Sequence, residues 1–341
     1  MDRWQIPPII CQWDVTGRCN LNCRHCRASG LQAAGELNLS QAATIIDQLY
    51  ELSPEVTLAL AGGEPLMHPD LEKLMRRIRS KQPNADIELL SNGTLINSSN
   101  IGWLEELVTG FNISLEGASA VVNDAIRGVG SFEKTVKGVV LLVKNSVPVC
   151  MRMTFFHQDE VEVERLMRFL PQLGVKFFNF RYLVPVGNAQ KQDVSADQYR
   201  RLSETIWGLG QELGLEIGYS DPFPELLINP LEKKKNEEDE AVMIGQAVNG
   251  CSIAFQLLYL DPQGIVRACP YLPVFCADAK ELSLAKIWFK NPVLNKLRYI
   301  RSLLSGKCGR CKYKFACGGC RGAAWATGDF LGEDPRCWYE A

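Results

Sequence analysis

Short apolar segments alternate with helical patterns over the first half of the chain. Runs rich in β-branched and aromatic residues predict six strands, at residues 9–15, 56–61, 87–90, 111–115, 149–156 and 177–184. Between them, apolar residues recur with the 3.6-residue period of an amphipathic helix. Strands separated by helices predict parallel β–α units. Six units are too few for a closed eight-stranded barrel, so the pattern predicts an α/β fold with an open, partial (β/α)6 barrel.

The pattern changes in the second half. Residues 195–214 predict one more helix, with Ser195 as its N-cap, and the charged block at residues 232–240 predicts a solvated linker. An apolar run, a Pro–Gly turn and an apolar return over residues 253–268 predict a β-hairpin, and helices follow it. We therefore expect three regions: a partial barrel at 1–228, a charged linker at 229–250 and a small Cys-rich domain at 251–341.

Composition narrows the class of protein. The chain has 341 residues and a formal net charge of −2 with both signs interspersed, so we expect no nucleic-acid partner. No apolar run approaches the ~20 residues of a membrane span, and the N-terminus lacks the features of a signal peptide. We therefore expect a cytoplasmic protein with no membrane partner.

The chain contains thirteen cysteines, and their number and distribution indicate a chemical role. Disulfides are disfavoured in a reducing compartment, where dense and patterned Cys more often indicate metal binding or catalysis. Four Cys lie before residue 30 and eight after residue 250, so two metal-binding regions are expected to flank a Cys-poor body. Cys11 and Cys150 fall within predicted strands and are expected to be apolar core residues.

The first Cys region is a loop that directly follows the first predicted strand. Cys19, Cys23 and Cys26 are spaced by three and then two residues. Iron–sulfur clusters normally have four Cys ligands, so three thiolates would leave one iron of a cubane open. The three thiols alone also leave a zinc site open as an alternative. Their spacing resembles the signature of the radical SAM superfamily, Cys-x3-Cys-x-aromatic-Cys, with His25 in the aromatic position.

Motifs at the ends of the next strands extend the resemblance. Residues 62–65 resemble the Gly-Gly-Glu-Pro motif that binds the methionyl amino group of S-adenosylmethionine. The resemblance implies cofactor contacts at Gly62, Gly63, Glu64, Pro65, Ser91, Asn92, Ser114, Glu116, Arg127 and Arg152. It also implies that a reduced cluster cleaves S-adenosylmethionine to a 5′-deoxyadenosyl radical, which abstracts hydrogen from a substrate. A flavodoxin or ferredoxin-type protein is the implied reductant.

The second Cys region contains Cys251 and Cys269, then Cys308-x2-Cys311-x5-Cys317-x2-Cys320, and finally Cys337. This pattern resembles the SPASM domain, which carries auxiliary 4Fe–4S clusters. One departure is that two residues, rather than three, separate Cys317 from Cys320. The resemblance implies an outer cluster held by Cys308, Cys311, Cys317 and Cys337. It implies an inner cluster held by Cys251, Cys269, Cys320 and Cys276; without Cys276, one inner iron would be open to substrate or solvent. The chain is thus expected to hold three 4Fe–4S clusters, and Cys276 is also a candidate catalytic hydrogen donor.

Two groups within this family are the most similar: peptide maturases of the mycofactocin and pyrroloquinoline quinone type, and alternative haem synthases, which oxidatively decarboxylate propionate side chains. The haem group tends to carry Ser at the positions of Cys269 and Cys320, and this chain keeps Cys at both. We therefore expect a net oxidation of a ribosomally made peptide, by crosslink, thioether formation or decarboxylation. Modification of a tetrapyrrole side chain is the alternative, and a non-enzymatic zinc scaffold is the third hypothesis.

Two further expectations concern the substrate. About ten residues precede the first predicted strand, so a bulky or peptide substrate is expected to bind directly or through a separate recognition protein. Asp221 and Glu225 are candidates for acid–base groups beside the substrate.

Overall fold

The computed structural model describes residues 9–31, 33–228 and 250–340. Ten strands form one sheet in the order β10-β9-β8-β1-β2-β3-β4-β5-β6-β7. The strands are β1 (Ile9–Thr16), β2 (Val56–Gly62), β3 (Asp86–Ser91), β4 (Gly110–Ser114), β5 (Val149–Phe155), β6 (Phe177–Tyr182), β7 (Glu216–Tyr219), β8 (Leu257–Leu260), β9 (Ile265–Cys269) and β10 (Leu272–Asp278).

Helices connect the strands and cover the sheet. In the first part of the chain they are α1 (Leu39–Leu52), α2 (Leu71–Lys81), α3 (Ile101–Leu107), α4 (Ala120–Arg127), α5 (Ser131–Lys144), α6 (Glu160–Phe169), α7 (Ala196–Leu213) and α8 (Pro224–Ile228). After the last strand come α9 (Leu284–Lys290), α10 (Pro292–Arg298), α11 (Gly306–Arg310), α12 (Lys314–Cys317) and α13 (Arg321–Ala326). No helix in the described ranges has the length and apolar character that a membrane span requires.

The predicted β–α architecture is confirmed. Strands β1 to β7 lie side by side in chain order, and each neighbouring pair is parallel. All six predicted strands are present, and β7 adds a seventh whose four residues show too little apolar alternation to be predicted. Helix α7 begins where expected, because the Ser195 side chain accepts a hydrogen bond from the Gln198 backbone N–H.

The predicted hairpin does not form a separate sheet. Strand β8 pairs in parallel with β1, from Ile10↔Leu257 to Trp13↔Leu260, and β9 and β10 continue outward as antiparallel strands. The sheet is therefore continuous from the first half of the chain to the Cys-rich region. The predicted charged linker, apart from Gly250, lies outside the described residues.

Alternation along the strands gives the sheet an apolar face and a polar face. In β5, Met151 and Met153 are buried, whereas Arg152 and Thr154 on the opposite face are only partly buried. Cys11 is fully buried, as expected of a core residue. Cys150 is instead partly buried and shares the polar face with Arg152, so this core prediction is wrong. The polar face carries the site described next.

Candidate functional site

A cavity of about 530 Å³ lies on the polar side of the sheet, at the carboxyl ends of its parallel strands. Its lining includes two groups of three thiols. The first group, Cys19, Cys23 and Cys26, belongs to the loop after β1 and is named here the N-terminal triad. The second group, Cys251, Cys269 and Cys320, comes from the Cys-rich region and is named here the inner triad. One cavity therefore joins the two predicted metal regions.

The thiols of the N-terminal triad influence one another. Burial raises the pKa of Cys23 to about 11; Cys26 and Cys19 add to the increase, and the Arg127 guanidinium opposes it. Burial also raises the pKa of Cys19, with a further contribution from Cys26. The Cys26 backbone N–H donates to the Cys23 carbonyl over 3.2 Å, which keeps the loop tightly turned. The loop thus presents three neighbouring thiols to one end of the cavity.

Gly62 and Gly63 hold this loop against the end of β2. The Gly63 N–H donates to the Thr16 carbonyl over 2.8 Å, and the Glu64 N–H donates to the Arg18 carbonyl over 2.7 Å. A Cβ at Gly62 would overlap the Thr16 carbonyl oxygen at the end of β1, and one at Gly63 would overlap the Arg18 carbonyl oxygen in the loop. Gly62 also has a φ of +127°. Both glycines line the cavity, so their lack of a side chain serves loop position and ligand access together.

Glu64 lies behind the cavity wall. Its fully buried carboxylate accepts hydrogen bonds from the Leu66 N–H, the Ser91 hydroxyl and the Asn92 N–H at 3.2, 2.8 and 2.7 Å. Burial raises the pKa of Glu64, and these hydrogen bonds oppose the increase. The structure does not bring Glu64 or Pro65 to the cavity lining, where both were expected as cofactor contacts. Glu64 instead joins the ends of β2 and β3.

Ser91, Asn92 and Ser114 do line the cavity. The Asn92 side-chain amide donates to the Asn20 side-chain oxygen over 2.9 Å, which ties the end of β3 to the loop of the N-terminal triad. These three residues are therefore placed where the sequence motifs predict, at successive strand ends next to the thiols.

Glu116 contacts several residues at the cavity end that holds the N-terminal triad. Its carboxylate lies 2.6 Å from Arg127 Nη2 and 3.1 Å from His25 Nε2, and it accepts from the Thr154 N–H at 2.8 Å. Burial favours a raised pKa, but Arg127 and His25 outweigh it and lower the pKa of Glu116 to about 2. Glu116 itself is fully buried and does not line the cavity, contrary to the expected cofactor contact.

The two residues that Glu116 contacts, Arg127 and His25, both line the cavity. Arg127 Nη1 lies 3.9 Å from the Cys23 sulfur, close enough to stabilise a thiolate or an anionic cluster there. His25 Nδ1 is buried and has no hydrogen-bond partner among the described residues. An unsatisfied buried nitrogen beside the thiols is consistent with a polar ligand at this end.

The inner triad lies at the other end. Burial raises the pKa of Cys269 to about 12, Cys320 and Cys251 add to the increase, and Arg181 opposes it. The Cys251 N–H donates to the Cys317 carbonyl over 2.9 Å, and the Cys320 N–H donates to Asp334 Oδ2 over 2.9 Å. These backbone contacts hold the inner triad against the remaining Cys-rich segment.

Four further thiols form an outer group: Cys308, Cys311, Cys317 and Cys337. Burial raises the pKa of Cys337 to about 11, with an additional contribution from Cys308. Cys317 is influenced in the same way by Cys337 and Cys308, and Cys311 by Cys308. The structure thus brings together the four residues that the sequence assigned to one outer cluster.

Cys276 is not brought to the inner triad. Its thiol donates to the Val274 carbonyl at 3.8 Å, and it does not line the cavity. Burial raises the pKa of Cys276 to about 11, and the opposing charge is Arg267 rather than another thiol. The sequence placed Cys276 in the inner set because of its position in the chain, but β10 carries its side chain elsewhere.

Spacing among the thiols bears on the zinc alternative. A zinc ion bound at about 2.3 Å from each sulfur would draw its thiolates to within about 4 Å of one another. Within the described ranges, no three His, Cys, Asp or Glu side chains converge on a single ion in this way. A four-iron cubane does not need such convergence, because each thiolate binds a different iron.

Acid–base candidates and an overlooked residue lie near the inner triad. Asp221 is buried and lines the cavity, with Arg336 Nη1 at 3.0 Å and the Tyr199 hydroxyl donating at 2.8 Å. Glu225 lines the cavity. Arg181 also lines the cavity, and no motif in the sequence predicted it. Its signal was available, because it is a charged residue at a polar position of the alternating strand β6.

Comparisons with known proteins bear on the family and the fold of the chain. Residues 13–170 match the family model of the Radical SAM superfamily. The AdoMet-dependent heme synthase of Methanosarcina barkeri is 31% identical over 97% of this chain and 97% of its own length. Mycofactocin maturase MftC of Mycobacterium tuberculosis is 29% identical over 97% of this chain and 83% of its own. Streptococcus suis SuiB bound to precursor peptide SuiA has a similar fold, with a TM-score of 0.81 at 18% identity, covering 98% of this chain and 76% of SuiB.

Proposed function

Because the chain belongs to the radical SAM superfamily, we propose that it uses S-adenosylmethionine to carry out a net oxidation of a ribosomally made peptide. The observation that carries the proposal is the single cavity lined at one end by the N-terminal triad and at the other by the inner triad. A substrate held between them is close both to the site where a radical is made and to a site that can accept an electron.

At the first end, the N-terminal triad would hold three irons of a 4Fe–4S cluster, and S-adenosylmethionine would complete it. Together these cofactors supply a carbon-centred radical that removes a hydrogen atom from an unactivated C–H bond. The cavity residues proposed to contact S-adenosylmethionine are Gly62, Gly63, Ser91, Asn92, Ser114 and Arg127. Arg127 offsets the negative charge of the thiolates, and Glu116 keeps Arg127 and His25 in place.

At the second end, we assign two auxiliary 4Fe–4S clusters. The outer group of four thiols has the number of ligands that a complete cluster needs. The inner triad has three, so one iron of the inner cluster would be open to substrate or solvent. Held by the inner triad and the outer group, these clusters would supply acceptors for the one electron that a substrate radical must lose, together with a proton or a leaving group such as CO2, to complete a two-electron oxidation.

Peptide and tetrapyrrole substrates each have support. The retained Cys269 and Cys320 at the inner triad, the similarity to MftC and the fold shared with peptide-bound SuiB favour a peptide. Oxidation of a tetrapyrrole side chain is the second candidate, favoured by the 31% identity to a heme synthase over nearly the full length of both chains.

The proposal is tested with anaerobically reconstituted holoenzyme. With dithionite and S-adenosylmethionine we expect 5′-deoxyadenosine, and addition of the true substrate should raise its yield together with an oxidised product. Candidate precursor peptides and an iron tetrapyrrole with propionate side chains are supplied in separate reactions, and products are identified by mass spectrometry. Turnover of the tetrapyrrole alone would replace the first candidate by the second. Colourless protein that holds zinc and forms no 5′-deoxyadenosine would refute both.

Substitution Cys276→Ala is expected to leave the iron content at the wild-type value, because the thiol contacts the Val274 carbonyl and not the inner triad. Cys269→Ala, a matched change at a cavity-lining thiol, should lower iron by about four per chain when an entire inner cubane is lost. Iron and acid-labile sulfide are measured per chain after anaerobic reconstitution. Equal iron loss in the two variants would restore Cys276 as the fourth inner ligand.

A flavodoxin or ferredoxin-type reductant is proposed to dock near the outer group. From Lys286 to Lys314 the chain has nine Lys and Arg residues and no Asp or Glu, and Arg310 and Lys312 flank Cys311 at exposed positions. The exposed members of this set, Arg310 and Lys312 among them, attract an acidic electron carrier. Arg310→Glu should slow cluster reduction by flavodoxin several-fold at low salt. Lys137→Glu, at an exposed position of α5, should leave the rate of reduction unchanged. Equal rates for both variants would place the docking surface elsewhere.

A further inference from the structure

Arg152 and Arg181 form a pair of like charges inside the cavity. They lie on the neighbouring parallel strands β5 and β6, where Arg152 is in register with Asn179 and Thr154 with Arg181. Both side chains line the cavity. Side chains alternate between the two faces along β5 and β6, and this alternation places both arginines on the polar face of the sheet, opposite the core residues. Two adjacent guanidinium groups at one wall repel each other, so their placement calls for a compensating negative charge.

The described part of the chain supplies little of that charge. Arg152 Nη2 donates to the Ser220 hydroxyl over 2.7 Å. Glu88 attracts Arg152, but no carboxylate in the described ranges lies within ion-pair distance of it. Burial lowers the pKa of Arg152, and repulsion by Arg181 lowers it further. Burying a cation without a counterion is costly, and such groups often mark sites that bind an anion.

Arg181 is only partly neutralised. Its Nε lies 3.6 Å from Asp221 Oδ1, but the same oxygen is 3.0 Å from Arg336 Nη1. The other Asp221 oxygen accepts from Tyr199. Arg336 also pairs with Asp334, at 3.0 Å, so two carboxylates face the guanidinium groups of Arg336 and Arg181. Arg181 Nε nevertheless has no hydrogen-bond partner among the described residues.

The position of Arg181 links this wall to the inner triad. Its guanidinium carbon lies 4.4 Å from the centre of the Tyr271 ring, and Tyr271 follows Cys269 by two residues. Stacking on a ring fixes the plane of a guanidinium. Arg181 Nη2 donates to the Ser220 carbonyl, and the remaining N–H groups, Nε among them, can bind a carboxylate. The charge of Arg181 also acts on Cys269 and Cys320. An anion bound here would thus lie beside the proposed inner cluster.

We propose that Arg152 and Arg181 form a binding site for a carboxylate of the substrate. The inference rests on the proposed function and narrows its substrate to a molecule with a free carboxylate close to the oxidised carbon. A peptide C-terminus and a tetrapyrrole propionate share this chemistry. The bound carboxylate neutralises the arginine pair and holds the neighbouring part of the substrate between the two triads.

The test measures binding to anaerobic holoenzyme with S-adenosylmethionine present. One pair of probes is a pentapeptide acid and its C-terminal amide; the other is a tetrapyrrole with propionate side chains and its methyl ester. Wild-type protein should bind the acid form of at least one pair about 10- to 100-fold more tightly than its neutral form. The pair that shows the preference identifies the source of the carboxylate.

Variants then assign the preference to the two arginines. Arg152→Gln and Arg181→Gln should each remove most of the preference for the acid form, and Arg181→Lys should restore part of it. Arg165→Gln, at an exposed arginine of α6 outside the cavity, should keep it. Because Arg181 also supports Asp221, Arg152→Gln provides the independent test if Arg181→Gln fails to fold.

Several results would overturn the inference while leaving the proposed function standing. One is a wild-type enzyme that forms 5′-deoxyadenosine but binds acid and neutral probes equally. Another is weaker binding of S-adenosylmethionine in both variants with unchanged probe affinity, which would assign the arginines to the cofactor. Absence of both 5′-deoxyadenosine and iron–sulfur clusters in the wild type would instead refute the proposed function itself.

Discussion

Replacing Cys19, Cys23 and Cys26 together by alanine is expected to abolish 5′-deoxyadenosine formation. These thiols are the N-terminal triad at one end of the cavity, and no other group of three thiols lies at that end among the described residues. Iron should fall from about twelve to about eight per chain, because the two auxiliary clusters use other cysteines. The measurements are iron per chain and 5′-deoxyadenosine after reduction with dithionite.

Cys150→Ala is the matched control for the triad variant. Cys150 is a partly buried thiol on β5 whose sulfur contacts the Met151 carbonyl at 3.9 Å, and it does not line the cavity. We expect this variant to keep the full iron content and the wild-type yield of 5′-deoxyadenosine. If the triad variant also kept both, the radical-generating cluster would have to be held by the Cys-rich region, and our assignment would fail.

Gly63→Ala is expected to displace the loop of the N-terminal triad. The new Cβ would overlap the Arg18 carbonyl oxygen, and that atom belongs to backbone that cannot rotate away as a side chain can. Overpacking of this kind costs about 1–3 kcal/mol of folding free energy, and here the strain falls one residue before Cys19. We expect at least a tenfold lower yield of 5′-deoxyadenosine, loss of about four irons and a lower urea midpoint.

Gly102→Ala tests whether any such loss is specific. Gly102 lies on the exposed side of α3, and an added Cβ there meets nothing within 4 Å. Alanine in an exposed helix should stabilise the protein by about 0.5–1 kcal/mol and leave iron and activity unchanged. Should Gly63→Ala behave like Gly102→Ala, the close approach of the two backbones would not be what positions the thiols.

Local pattern predicted the strands and the thiol groups well, and it failed where a side chain has a choice of direction. Glu64 and Glu116 occupy the predicted strand ends, yet neither carboxylate reaches the cavity. Glu64 accepts hydrogen bonds from Ser91 and Asn92, and Glu116 pairs with Arg127. A motif gives the position of a residue along the chain. It does not give the hydrogen-bond partners that other strands bring to it.

Cys276 and Arg181 also show that position in the sequence does not fix position relative to the cavity. Cys276 belongs to the Cys-rich region in sequence, but the register of β10 leaves its thiol at the Val274 carbonyl, away from the cavity. Arg181 belongs to no Cys motif, and it lies near the inner triad because it stacks on Tyr271, a residue far from it in sequence. Neither placement is encoded in residues close by in sequence.

The sequence by itself determined the class of fold, the N-terminal triad and the membership of the outer thiol group. These features follow from hydrophobic periodicity and short spacings, which act over a few residues of one segment. The tertiary structure alone decided that β8 pairs with β1, that both triads line one cavity and that Arg152 and Arg181 lie next to each other in its wall. The physical reason is that strand pairing and burial join segments hundreds of residues apart, and chemistry depends on the distances they create.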